Sequence, residues 1–507
     1  MQALNINEIF FKRAAIVFFI GLFVTGCFVF SDYGISCDEL SYSRLNGEVN
    51  YNFIKTGDSN DLLACAEKYH GPAFEIFLYS AEKLFSITDY RNIFLLRHGL
   101  NFLIFFIATF VFYLLGLKFF KNHGVALLCS VMLVASPRVF AESFYNSKDL
   151  VMLYFCIIAS YTAFLFIERQ TIGSAFIHAA CCGFAVDIRI MGLLLPFATL
   201  YLYVMQKEKK IIPLLIFISY TLFFIIAFWP VLWLNPIYHF VEALKQMSHF
   251  PTPSTALYLG EFVDGKNLPW HYLPVWISIT TPVFYIIFFL VGLWFALKNS
   301  FVDFSSTLHI QFSLFMFATP ILAVIILNST VYDSYRHIFF VYPYLLIIAV
   351  YGFTQLTLAV KKRWALKILS YSSVISILFS FIFIISNHPF QNVYFNFLAG
   401  KNIRQNFELD YWGLSYKQGL EYILANDKSD HINISADLGM CALNFYIIPI
   451  EDRKRLVWTH DVEGANYYLA NFRYHPADYD FGPTVFQIKV RNEKIMEVQK
   501  LKQSKIK

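Results

Sequence analysis

The sequence predicts an α-helical polytopic membrane protein of about eleven spans, with a small extracytoplasmic α/β domain at its C-terminal end. Three observations carry this reading. Of 507 residues, 57% are hydrophobic and only 15% are charged, whereas ordinary soluble domains run to roughly half and a quarter. Apolar runs of membrane length recur from residue 14 to residue 386. Beyond 386 the charge rises and turn signals such as Asn426-Asp427-Lys428-Ser429-Asp430 appear.

A helical span needs roughly 17–25 mostly apolar residues. Runs near 14–30, 97–117, 124–136, 150–167, 173–187, 190–205, 212–233, 275–297, 311–328, 338–360 and 366–386 answer to that pattern. Those at 124–136, 173–187 and 190–205 are short, which predicts tilted, longer or re-entrant segments. Aromatics make up 19% of the chain, with 57 Phe and 32 Tyr, as suits lipid-facing surfaces and interfacial belts. Trp229 and Trp233 are expected to anchor a helix end at the headgroups. Val24-Thr25-Gly26-Cys27 has the form of a lipoprotein processing site, but the apolar run continues past Cys27 and further spans follow. It is read as part of an uncleaved span.

Charge sets the expected orientation. Lys12, Arg13, Lys118, Lys121, Arg169, Lys207, Lys209, Lys210, Lys298, Lys361, Lys362, Arg363 and Lys367 fall on the side assigned to the cytoplasm. Arg138, Lys148, Arg189, Lys245, Lys266 and Arg336 fall in the opposite short loops. Thirteen against six follows the positive-inside rule. With an odd span count, the C-terminus lies outside. Residues 1–386 then form the membrane domain and 387–507 the external one.

The expected external side holds nearly all the unusual polar sequence. Loop 31–96 opens on the acidic pair Asp38-Glu39. Further along it, Phe74, Phe77, Leu78, Ala81, Leu84 and Phe85 recur at helical spacing, while Glu75, Glu82 and Lys83 fall elsewhere. This predicts an amphipathic helix in the membrane interface. In the C-terminal region YKQGLEYILAND predicts a helix; HINISADL, NFYIIPI, RLVWTH, NYYLANF and TVFQIKV predict short strands. No internal repeat is visible.

Several functions are disfavoured. Net charge is only +5, without a basic arm or a nucleic-acid motif, so no nucleic-acid partner is expected. Eight cysteines include no metal-type C-x-x-C pair. Cys37 and Cys65 share the first loop and could pair in an oxidising compartment. His70, His98, His239, His249, His271, His337 and His388 lie on the expected external side or near it, but no H-E-x-x-H spacing occurs. Neither a metal nor a cofactor is expected.

Four external segments combine carboxylates with basic groups: Asp38/Glu39; Glu142 with Arg138, Lys148 and Asp149; Asp187/Arg189; and Asp333 with Arg336 and His337. Charges near membrane depth are costly unless they pair or line a wet cavity. Their sidedness predicts a pocket between the bilayer and the external domain. The competing reading is ion pairing that caps helix ends, with Asp149 capping its span.

The order of these segments resembles the GT-C glycosyltransferases, within them the dolichyl-phosphate-mannose protein mannosyltransferase and aminoarabinose transferase-like group. The matching residues are C-D-E-L-S-Y (37–42), Y-H-G-P (69–72), S-P-R-V-F-A-E-S-F-Y-N-S-K-D (136–149), D-I-R-I-M-G (187–192) and Y-D-S-Y-R-H (332–337). N-H-P-F-Q-N-V-Y-F-N (387–396) and F-E-L-D-Y-W-G-L-S-Y (407–416) resemble segments of uncharacterised bacterial members. The resemblance spans roughly residues 10–420. The chain departs from many relatives in carrying His70-Gly71-Pro72 where they have two prolines.

The resemblance implies transfer of a sugar from a polyprenyl-phosphate donor to a lipid, glycan or protein acceptor outside the cytoplasm, usually with inversion. It places Asp38 as the general base. Glu39 would hold the loop, and Glu142 would orient the acceptor or its loop. A departing phosphate needs fixed positive charge; Arg189, Arg336 and Arg138 are candidates because a guanidinium matches phosphate oxygens in a bidentate manner. His70, Lys148 and His337 are candidate substrate contacts. A transporter or flippase of lipid-linked sugars is the alternative, and would favour mid-span charges and repeated halves. An assembly subunit would need no converging charges.

Overall fold

A computed structural model describes residues 2–248, 255–302 and 307–501. Six of its helices are long and apolar enough to cross a membrane: Glu8–Val29, Tyr90–Phe120, Asp149–Arg169, Leu308–Ile326, Arg336–Ala359 and Arg363–Ser386. The pair His123–Val134 and Pro137–Tyr145 makes up to seven, bent by 67° at its break. The bend follows from Pro137, which disfavours helical backbone at the preceding residue. Ser136 is accordingly extended, with φ −85° and ψ 106°. Its hydroxyl donates to the Met132 carbonyl at 2.7 Å and meets the Tyr342 hydroxyl at 2.8 Å.

Length and apolarity therefore give six or seven spans where the sequence suggested about eleven. The apolar runs 173–187, 190–205, 212–233 and 275–297 fold as the shorter helices Ile172–Val186, Ile190–Val204, Ile211–Ala227 and Val283–Asn299. The helices Arg336–Ala359 and Asp149–Arg169 are innermost, 83% and 72% buried, whereas Glu8–Val29 and Arg363–Ser386 are 22% buried. The outer pair exposes Ile16, Val17, Phe28, Phe379 and Ile385, as lipid-facing helices do. One close crossing depends on glycine. A Cβ on Gly292 would come within 2.0 Å of the Ile348 carbonyl, and one on Gly352 within 2.2 Å of the Phe288 carbonyl. Only missing side chains let these backbones touch.

The first long loop folds as a short π-helical turn (Glu39–Arg44) and helices Leu45–Thr56, Asn60–Ala64 and Ala73–Leu84. The last is the expected amphipathic helix, and it exposes Phe77 and Leu84, with Phe85 just after it. Its acidic residues do not face water, however. Glu75 and Glu82 are buried against Arg97. Between the membrane-length helices, Pro236–Ser248 is helical and a hairpin pairs β1 (Thr255–Tyr258) with β2 (Glu261–Asp264). His249 lies outside the described residues.

The C-terminal region builds one sheet from β3 (Ile432–Ala436), β4 (Leu456–Trp458), β5 (Tyr467–Ala470), β6 (Thr484–Val490) and β7 (Glu493–Lys500), in the order β4-β3-β5-β7-β6. β3 runs parallel to β4 and β5, and β7 antiparallel to β5 and β6. Helix Tyr416–Asn426 forms where the sequence predicts it. NFYIIPI instead contributes a 3-10 turn, Asn444–Ile447. The strand Glu493–Lys500 was not anticipated, because its charged residues mask the alternation.

This region is laced to residues 31–37. Lys417 Nζ donates to the Ser31 carbonyl at 2.7 Å, and His388 Nε2 meets the Asp32 carboxylate at 2.8 Å. The Asn444 side chain accepts from the Ile35 N–H at 2.9 Å and donates to the Ile35 carbonyl at 3.1 Å. Cys37 N–H donates to the Trp412 carbonyl at 3.1 Å. The segment leading to Asp38 is thus fixed by residues more than 350 positions away.

Candidate active site

A cavity of about 790 Å³ opens where the first loop, the ends of the inner helices and the C-terminal region meet. Asp38, His70, Lys148, Arg189, Arg336 and His337 all line it. The sequence pointed to all six, from segments far apart in the chain.

Asp38 sits just before the π-helical turn, and its carbonyl accepts from the Ser43 N–H at 2.9 Å. Its carboxylate takes a hydrogen bond from Arg336 Nη1 at 2.8 Å, yet its side chain stays 24% exposed. Arg336 opens the turn into the innermost helix. Its guanidinium is also 3.2 Å from Asp333 and 3.7 Å from Asp149. The Trp412 and Tyr332 rings lie 4.7 and 5.2 Å from it, which favours a cation in a partly dry site.

Asp333 is held in an unusual backbone. Asp333 and Ser334 both have positive φ, 53° and 66°, a left-handed conformation that costs non-glycine residues energy and recurs at functional sites. It sets the Asp333 carboxylate between two arginines. Arg336 takes one oxygen, and Arg473 donates to the other at 2.6 Å. Arg473 comes from the segment after β5 and also donates to the Tyr411 carbonyl at 3.0 Å. Nothing in the sequence marked it. In NFRYH it has the look of a surface basic residue, and only the fold carries it to this cavity.

Two further pairs flank this ladder. Arg189 pairs with Asp149, which begins an inner helix. Lys148 Nζ is 3.3 Å from Glu67, and His70 Nδ1 is 2.9 Å from the same carboxylate. Burial alone would raise the Asp38 pKa, but Arg336, Lys148 and Arg473 outweigh it and hold the group well below the usual carboxylate range. Burial likewise opposes charge on Glu67, yet the His70 hydrogen bond and Lys148 bring it down to about 2. His70 is shifted down by burial, partly offset by Glu67, so its neutral form is favoured.

Three of the sequence candidates lie away from the cavity. Glu39 is buried, accepts from the Ser36 N–H at 2.7 Å and meets His98 Nε2 at 3.0 Å; it holds the loop. Glu142 is fully buried, accepting from Asn146 at 2.8 Å and from the Tyr411 hydroxyl at 3.1 Å. The expectation that Glu142 shares a cavity with Asp38 is corrected accordingly. Arg138 donates from Nε to the Tyr394 carbonyl at 3.2 Å, with its guanidinium 4.9 Å from the Phe395 ring and 5.5 Å from Trp276. Its burial in an aromatic core separates it from Arg189 and Arg336. Asp187 is also buried.

Among the described residues, no group of three or more His, Cys, Asp or Glu is placed to hold a metal ion. His239 meets Tyr69, and His271 meets Tyr258. Cys37 and Cys65 are free thiols, not a disulfide.

In chemical terms, the cavity offers a partly exposed carboxylate beside four cations, Lys148, Arg189, Arg336 and Arg473. Such a site can bind an anion and accept a proton within the same space. No protein-family model matches the chain, and no curated protein matches it.

Proposed function

We propose that this chain is a membrane glycosyltransferase of the GT-C type, moving a sugar from a polyprenyl-phosphate donor to an extracytoplasmic acceptor with inversion. The observation that carries the reading is the partly exposed Asp38 carboxylate in one cavity with Arg189, Arg336 and Lys148. Eleven spans would follow if the bent pair and the four shorter apolar helices also cross, beside the six longer ones. Together with the charge asymmetry, such a count would support a cavity and sheet domain outside the cytoplasm.

The proposed chemistry is a single displacement. The acceptor oxygen attacks the anomeric carbon from the face opposite the phosphate. The bond from that carbon to the phosphate oxygen breaks, and its electron pair leaves with the phosphate monoester. Arg336 and Arg189 hold the departing charge, and the acceptor proton passes to Asp38. With Arg336 engaged by Asp38, the carboxylate is a weak base. A phosphate competing for Arg336 would loosen that pairing and raise its basicity as the donor binds.

The test is transfer by the full chain in lipid nanodiscs, supplied with labelled polyprenyl-phosphate sugars. Release of polyprenyl phosphate in step with acceptor labelling supports the reading. Mass spectrometry of envelope glycans and lipids from a deletion strain identifies the acceptor, and an unchanged profile alongside absent transfer argues against the reading. Reporters after Lys210 and Lys367 should read cytoplasmic, and one after Lys507 external. A cytoplasmic C-terminus would overturn the assigned side.

A further inference from the structure

Arg473 is the one cation of the cavity that belongs to the sheet domain. Its side chain is 9% exposed and lines the cavity. Asp333 bridges two guanidinium groups, and Arg336 is paired with Asp38 as well. Asp333 gives one oxygen to Arg473 at 2.6 Å and the other to Arg336 at 3.2 Å, so the two cations are held as a pair across one carboxylate. Two arginines held side by side on one carboxylate at a cavity wall have the makings of a fork for a tetrahedral oxyanion.

We propose that the C-terminal domain completes the anion site, with Arg473 and Arg336 together binding the phosphate monoester of the donor and Asp333 acting as the shared counter-ion that spaces them. This rests on the glycosyltransferase reading and adds to it. The sheet domain is then a working wall of the site, and its lacing to residues 31–37 fixes Arg473 relative to Asp38. Asp333 touches neither reacting atom and is a positioning residue.

The experiment is binding of farnesyl phosphate to the full chain in detergent micelles, with farnesol as the uncharged control. Arg473→Ala should weaken farnesyl phosphate binding roughly 10- to 100-fold, as loss of a charge-assisted hydrogen bond does, and leave farnesol binding unchanged. Arg473→Lys should restore it in part. A folding defect is separated by the double variant Asp333→Asn/Arg473→Gln, which removes the buried pair together and keeps the net charge. If Arg473 only neutralises Asp333, the double variant binds farnesyl phosphate normally, and the proposal fails. If Arg473 binds phosphate, the double variant stays weak. Arg336→Ala separates the two levels of the account. Binding lost in Arg336→Ala but intact in Arg473→Ala overturns the role of Arg473 alone. Binding intact in both overturns the donor site itself.

Discussion

Two clusters of arginines and carboxylates lie close together in this protein, and they differ in what they face. Around Arg97, the guanidinium reaches Glu82 at 2.9 Å and also pairs with Glu75, while Arg44 reaches Glu82 at 3.0 Å. Arg97, Glu75 and Glu82 have side chains only 1–2% exposed. Around Arg336, the same kinds of pair join Asp38, Asp333 and Arg473, but Asp38 is 24% exposed and the cluster borders a cavity of about 790 Å³. The first cluster is closed on itself; the second keeps an accessible carboxylate at a cavity. Ion pairing alone marks neither as functional, whereas an opening does. The closed cluster still serves the open one, since Glu75 accepts from Ser147, the neighbour of Lys148.

The largest effect should come from breaking the closed cluster. Arg97→Ala leaves buried Glu75 without its cation and Glu82 with Arg44 alone, and breaking one buried pair typically costs about 3–5 kcal/mol. The variant should melt far below the parent in detergent, or fail to accumulate. A normal melting temperature with lost turnover would move Arg97 into the functional group and erase the distinction drawn here.

Glu142→Gln comes next. The carboxylate accepts from both Asn146 and Tyr411, and an amide can accept only through its single oxygen. Leaving a buried group unsatisfied costs about 1–3 kcal/mol. Stability should fall by that order, while turnover per folded molecule stays within a few-fold. A large loss of turnover at unchanged stability would return Glu142 to the chemistry.

The difference between Glu142 and Asp38 also shows what the sequence could and could not reveal. Convergence was legible, because charge is expensive at membrane depth and polar segments therefore gather together. That logic reached Asp38, His70, Lys148, Arg189, Arg336 and His337 without structure. Side-chain direction was not legible. Asp38 and Glu39 are adjacent, yet one faces the cavity and the other faces His98. Arg138 and Glu142 share a helical face, but the whole of helix Pro137–Tyr145 is buried. Arg473 was hidden for another reason. It meets Asp333 across 140 positions of chain, and no local pattern encodes such a contact. In the C-terminal region four expected strands formed, NFYIIPI became a 3-10 turn, and β7, rich in charge, was not marked.

A smaller effect is expected at the rim of the cavity. Glu67 ionises at about 2 in the folded chain against an ordinary value of 4.5. Its contribution to stability is therefore full above about 4.5 and is lost as pH falls toward 2. Glu67→Gln should flatten the acid end of the stability curve across that window and leave stability at neutral pH less affected by further acidification. A variant curve parallel to the parent between these pH values would show that Lys148 and His70 do not hold Glu67 as described.

The most direct test of the open cluster as the seat of chemistry is the transfer rate of Asp38→Asn at saturating donor and acceptor, per folded molecule. Asparagine keeps the size of the side chain but accepts no proton. The rate should fall by roughly 10²–10⁴-fold, with the melting temperature near that of the parent and donor binding retained. Near-parental turnover in Asp38→Asn would contradict the account.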